Sequence, residues 1–221
     1  LLKYRKTRLD RLSGGEKQRV SLARALANNP KIIFASISGF GQTGPWKNLP
    51  GYDIIAQAET GLMSITGSKS GGPSRVGVAV ADIAAANWAV TGILSALYRR
   101  EKTGYGDYLD ISLLDSLFSW MTYQAANYFA TGIPPGLMGT AHPNIVPYQA
   151  FKTADRKEIV IAVPNDSIWT EFCKVIGKLA WTRDPRYTSN SLREKNRDEL
   201  IRKISSVLVE EPADYWIEAF R

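Results

Sequence analysis

Cysteine and histidine are nearly absent from this 221-residue chain, which holds Cys173 and His142 and no other residue of either type. A single cysteine excludes an internal disulfide, and one histidine beside one cysteine excludes the usual zinc clusters, so no structural metal is expected. No apolar run of about 18 residues reads as a membrane span. The start at Leu1-Leu2 lacks an initiator methionine, and the basic stretch from Lys3 to Arg11 is not followed by an apolar run. A secretory leader is therefore not expected, and a cytoplasmic location is the default. Acidic charge is also short, with 21 Asp/Glu against 28 Lys/Arg and a net charge of +7.

That excess is localised. Residues 1–31 carry nine Lys/Arg against Asp10 and Glu16, and the rest of the chain is balanced. With no basic stripe and no stacking aromatics beside one, nucleic-acid binding is not the expected use of the charge. At 44% hydrophobic residues the chain can bury one good core or two small ones.

Ser13 has the spacing of a helix cap with Glu16 in its first turn, and Val20, Leu22, Ala23, Leu26 and Ala27 supply an apolar face. Asn28-Asn29-Pro30 ends that helix. Lys31 to Ser38 reads as a buried strand, followed by a long Gly/Pro-rich loop to Gly51. From Asp82 to Arg100, Ile83, Ala86, Val90, Ile93, Leu94 and Leu97 recur at helical spacing. Tyr108 to Leu113 reads as a strand and Leu114 to about Ala130 as a helix. Strand, helix and strand in this order predict a βαβ arrangement with a parallel sheet. Tyr148–Lys152 and Glu158–Val163 flank Asp155-Arg156 as a hairpin, and helices are predicted at 168–176, 197–209 and 212–221. Cys173, with Phe172, Val175 and Ile176, reads as core, and Trp120, Tyr123 and Tyr128 read as packing residues.

Leu12-Ser13-Gly14-Gly15-Glu16-Lys17-Gln18-Arg19, followed by Ala23-Arg24-Ala25-Leu26, resembles the signature motif of ABC-transporter ATPases. The resemblance implies that Ser13, Gly14 and Gly15 contact a nucleotide phosphate at a helix start. An ATPase also needs a P-loop and an acidic pair that holds magnesium. Neither is present, since Phe172 stands where Gly177-Lys178 would require the first glycine.

The sequence from Ile32 onward resembles a different family. Ile32 to Pro45, Pro50-Gly51-Tyr52-Asp53, Gly77-Val78-Ala79-Val80-Ala81-Asp82 and Gly104-Tyr105-Gly106-Asp107 are similar to the class III, CaiB/BaiF-like CoA-transferases. The resemblance implies an α/β fold, with a partial Rossmann-like parallel-sheet domain over 32–145 and a small α/β domain over 146–221. It further implies truncation at both ends, because complete members begin with a Rossmann-like half and end with a segment that returns to that large domain. They act as homodimers on acyl-CoA and carboxylic acids, with coenzyme A carried as a substrate thioester.

Taken by itself, Asp82 ahead of Ile83-Ala84-Ala85-Ala86 is most simply a helix N-cap. A carboxylate there, with a reference pKa of about 3.9, is ionised at neutral pH and needs no general base to attack. The resemblance makes Asp82 the catalytic nucleophile, which passes through an aspartyl anhydride and an aspartyl-CoA thioester. It places Gly51, Tyr52 and Asp53 against coenzyme A, although the same residues also fit an ordinary helix start after Pro50. It places Gly139, Thr140, Ala141 and His142 in a loop over the acyl group, where His142 also fits a plain turn residue with one backbone hydrogen bond. Racemases of the family resemble one another in having histidine at position 52, and a tyrosine with a pKa of about 10 is a poor base. CoA transfer is therefore the favoured reading. The alternatives are an ABC ATP-binding fragment, an acyl-CoA racemase and an inactive chimera.

Overall fold

The computed structural model describes residues 31–221. The helix expected after Ser13, and the phosphate contact expected of Ser13, Gly14 and Gly15, lie outside the described residues. The described chain divides into two compact units, residues 31–65 with 74–135, and residues 66–73 with 136–221. The second unit thus begins ten residues before the expected boundary and takes in a short excursion from the first.

In the first unit, β1 (Ile33–Ser38) pairs in parallel with β4 (Asp107–Ser112), from Ile33 opposite Asp107 to Ser38 opposite Ser112. Helix α1 (Asp53–Glu59), α2 (Leu62–Ile65) and the long α3 (Val80–Thr103) lie between the two strands in sequence. Parallel strands need such a crossover, so the predicted βαβ unit is present. Gly104, in the left-handed conformation, ends α3 and donates its N–H to the Arg100 carbonyl. The side of α3 that packs inward is lined with alanine: Ala81, Ala84, Ala85, Ala89 and Ala96 are buried.

Helix α3 is also long and apolar enough, by length and composition, to cross a membrane. This differs from the reading that the sequence holds no such run. Most of its 24 residues are uncharged, and the core helix of a globular unit passes the same test. Its alanine side is buried, and Val80, Ala81 and Ala85 share a core with Ala56, Leu113 and Leu117.

The helix expected from Leu114 to Ala130 is interrupted. Helix α4 (Leu113–Phe118), capped by Ser112 Oγ accepting from the Asp115 N–H, passes through a 3₁₀ turn into α5 (Thr122–Thr131). Thr122 has φ +37°, a backbone conformation that a β-branched residue rarely adopts and that breaks helical geometry. Trp120, Tyr123 and Tyr128, read as packing residues, each remain 44–47% exposed.

In the second unit, β2 (Gly67–Ser68) and β3 (Gly72–Pro73) form a minimal hairpin, and β5 (Tyr148–Lys152) pairs antiparallel with β6 (Glu158–Ala162). Along β6, Ile159 and Ile161 are buried and Val160 is exposed, the alternation of a half-buried strand. Helices α6 (Asp166–Val175), α7 (Asn190–Lys195), α8 (Arg197–Leu208) and α9 (Ala213–Ala219) complete the unit. Phe151, Trp169, Phe172, Leu200, Ile204 and Leu208 join the core, each such side chain contributing about 1.5–3 kcal/mol by leaving water. Cys173 is fully buried there, as expected, and burial pushes its thiol up to about 12.

Arg193 is a charged residue inside this core. Its Nε donates to Val146 O (2.9 Å), Nη1 to Tyr187 O (3.1 Å) and Nη2 to Asp166 Oδ1 (2.8 Å), and the guanidinium lies over the Trp169 ring. Burial of the charge is tolerated because each of its three nitrogens has an acceptor.

Candidate functional site

Helix α3 starts at Val80, two residues before Asp82, and Ala79 is the N-cap. The expectation that Asp82 caps the helix is corrected: it is the third helical residue, exposed, and its carboxylate has no hydrogen bond or ion pair among the described residues. A cap is supplied from elsewhere. Asp53 Oδ1 accepts from the N–H of Ala81, the residue before Asp82, at 2.8 Å. That contact satisfies a first-turn N–H without using Asp82. Its neighbours Ala81, Ala84 and Ala85 are buried, whereas Asp82 itself is exposed.

Asp53 opens α1, and Tyr52 is the extended residue before it, 72% exposed. The second Asp53 oxygen, Oδ2, accepts from Gln57 Nε2 at 2.7 Å. Gln57 Oε1 in turn accepts from the Val76 N–H at 2.8 Å. Gln57 is fully buried, and sequence reading missed it. Its signal was present: Asp53 and Gln57 are four apart, the spacing that puts two side chains on one helix face.

Gly51 lies where its backbone crosses that of Gly39. A Cβ on Gly51 would stand 2.6 Å from Gly39 Cα, and one on Gly39 would stand 2.5 Å from Gly51 Cα. The loop after β1 is held against the strand ends beyond this crossing. Gly41 N–H donates to Ser38 Oγ (3.0 Å), Gln42 N–H to Asp110 Oδ2 (2.9 Å) and Gln42 Nε2 to Ser36 Oγ (3.1 Å). A cleft of about 530 Å³ opens there, lined by Phe40, Trp46, Asp110 and Asp115 among others.

Gly139, Thr140, Ala141 and His142 belong to the second unit, whereas Asp82, Gly51, Tyr52 and Asp53 belong to the first. Gly139 N–H donates to Gly67 O (2.8 Å), Ala141 N–H to Met138 O (3.2 Å) and His142 N–H to Tyr148 O (2.9 Å). Thr140 Oγ1 accepts from the Ala150 N–H at 2.9 Å. The loop is thus tied to both hairpins of its unit.

His142 Nδ1 accepts from the Asn144 N–H at 3.0 Å, which puts the proton of the neutral ring on Nε2, and the ring stacks on Tyr148. The His142 pKa is lowered, first by burial and then by the positive charge of Arg197. Arg197 donates to the carbonyls of His142 (3.0 Å) and Pro143 (2.6 Å), clamping the loop from behind. Beside it, Lys69, Gln149, Arg197 and Arg202 help to line a cleft of about 320 Å³. Among the described residues, no group of three or more His, Cys, Asp or Glu is placed to hold a metal ion.

The model of the family described as CoA-transferase family III matches residues 10–221, a stretch that takes in the whole of the Leu12–Arg19 segment. The acetyl-CoA:oxalate CoA-transferase of Acetobacter aceti is 39% identical over 191 residues, which are 86% of this chain and 49% of that protein. The succinyl-CoA:glutarate CoA-transferase of Mus musculus is 42% identical over 191 residues, 86% of this chain and 44% of that protein. Among solved structures, a CAIB/BAIF family protein from Brucella suis is similar with a TM-score of 0.69 at 37% identity, covering 88% of this chain and 51% of that one. The chain spans about half the length of the curated relatives it matches.

Proposed function

Because this chain belongs to CoA-transferase family III, we propose that the protein moves CoA from an acyl-CoA donor to a carboxylic acid acceptor, with Asp82 as its covalent nucleophile. The observation that carries this reading is the state of Asp82: an exposed carboxylate in the first turn of α3, unpaired among the described residues, with its helix capped by a different aspartate. An aspartate at a helix start commonly serves as its cap, whereas the Asp82 carboxylate holds no partner among the described residues.

In the proposed cycle an Asp82 oxygen attacks the thioester carbonyl, and the C–S bond breaks to release CoA thiolate and leave a mixed anhydride. The thiolate attacks the Asp82 carbonyl of the anhydride, forming an aspartyl-CoA thioester and freeing the donor acid. The acceptor carboxylate attacks that thioester and expels the thiolate again, which then takes the acceptor's acyl group and regenerates the Asp82 carboxylate. No proton transfer is needed to activate the nucleophile, and covalent catalysis divides one difficult exchange into easier ones.

The names of the relatives point to short dicarboxylates as substrates. Gly51 and Tyr52 are proposed to border the CoA site, whereas Asp53 is proposed to act through its two hydrogen bonds within the protein. The loop from Gly139 to His142 is proposed to cover the acyl group, with Arg197 behind it as support. The working assembly is proposed to be a homodimer of the whole protein. Nothing in this reading draws on Ser13, Gly14 or Gly15.

The test is to supply succinyl-CoA with glutarate, and acetyl-CoA with oxalate, and to separate the thioesters by chromatography. Appearance of the acceptor's CoA ester, abolished in Asp82→Asn, is expected. Exchange of the donor's α-proton with deuterated solvent and no new thioester would overturn the reading in favour of racemase chemistry.

A further inference from the structure

Asp53 and Gln57 form a chain of hydrogen bonds with a fixed polarity. The Ala81 N–H donates to Asp53 Oδ1, Gln57 Nε2 donates to Asp53 Oδ2, and the Val76 N–H donates to Gln57 Oε1. The two backbone donors at its ends bracket the segment that leads into α3, ending one residue before Asp82. Gln57 is fully buried and Ala81 is fully buried, so water does not substitute freely for either partner.

We propose that Asp53 and Gln57 are positioning residues that hold residues 76–81 and thereby fix where the Asp82 carboxylate meets the thioester carbonyl. This deepens the acyl-transfer reading and rests on it. Two anchored donors define both ends of the segment, and with the cap supplied by Asp53 the Asp82 carboxylate has no competing hydrogen bond among the described residues. A covalent nucleophile held by its own cap would have to break that bond before attacking, whereas this one starts free.

The polarity gives a sharp test. In Asp53→Asn an amide NH₂ faces the donor of Gln57 or that of Ala81, and turning either amide moves the mismatch without removing it. In Gln57→Glu two carboxylates face one another. The double variant Asp53→Asn with Gln57→Glu restores every donor and acceptor. The oxygen of the new amide accepts from the Ala81 N–H, its NH₂ donates to one oxygen of the new carboxylate, and the other carboxylate oxygen accepts from the Val76 N–H.

The rate of Asp82 acylation by an acyl-CoA is read as hydroxylamine-trapped product, with KM measured separately and amide hydrogen exchange followed at Ala81. Each single variant is expected to lose about tenfold to a hundredfold in the acylation rate, with KM little changed and faster Ala81 exchange. The double variant is expected to recover most of both losses. Single variants that acylate at the normal rate overturn the inference, as does a double variant as slow as the singles. A rise in KM that the double variant does not recover also overturns it, and would assign Asp53 to CoA contact. If the unaltered protein forms no Asp82 adduct while Asp82→Asn behaves identically, the acyl-transfer reading itself fails. Ala81 exchange then decides separately whether the chain of hydrogen bonds holds the helix start.

Discussion

Gly39 and Gly51 cross backbone to backbone, so closely that a methyl group on either would overlap the other's Cα. The first loop and the approach to α1 are locked together by the absence of two side chains. Gly51→Ala is expected to destabilise the protein by about 1–3 kcal/mol, the usual cost of forcing atoms into a packed site. Gly136, where an added Cβ meets nothing within 4 Å, supplies the control. Gly136→Ala should stay within about 0.5 kcal/mol in the same urea titration.

Arg193 is expected to be far more sensitive than a charged residue in a helix normally is. Arg193→Met keeps most of the volume but strips the carbonyls of Val146 and Tyr187 of their donor, while Asp166, whose side chain is 59% exposed, can turn to water. A loss of about 2–6 kcal/mol follows from two stranded acceptors at ~1–3 kcal/mol each. Arg193→Lys should recover little, because one ammonium cannot reproduce a planar fork serving three acceptors. Denaturant unfolding followed by tryptophan fluorescence measures both.

His142 sets a pH dependence with a defined sign. Its folded pKa lies below the ordinary 6.5, by burial and by the charge of Arg197. Between that lowered value and 6.5 the unfolded chain binds the proton and the folded chain does not, so stability falls as pH drops through this window and is fully present above it. The unfolding midpoint should therefore decline from pH 7 toward pH 5, less steeply in His142→Asn. An asparagine oxygen can still accept from the Asn144 N–H but does not titrate. Asp184, held down to about 2 by Arg186, acts in the same direction only at much lower pH.

Much of the fold was legible because its signals are local. The apolar spacing of α3, the strand runs on either side of it and the hairpin turn at Asp155-Arg156 are all written within a few residues, and each element stands close to its expected place. The misreadings have non-local causes. Asp82 looked like a cap because the residue that satisfies the Ala81 N–H is Asp53, far back in the chain. The break between α4 and α5 depends on the backbone angle at Thr122, which composition does not announce. Arg193 drew no reading from the sequence, because its three acceptors come from separate stretches. Asp82 itself stood out through family resemblance, whereas the four-residue spacing of Asp53 and Gln57 gains its meaning once the burial of the Gln57 carboxamide is known.

Whether Asp82 is the covalent nucleophile is decided by intact-mass analysis and peptide mapping of the protein mixed with acyl-CoAs in the presence of hydroxylamine, which converts activated carboxylates to hydroxamates. A hydroxamate confined to Asp82 and missing from Asp82→Asn is expected. Modification at a different carboxylate, or an adduct that persists in Asp82→Asn, would contradict the assignment.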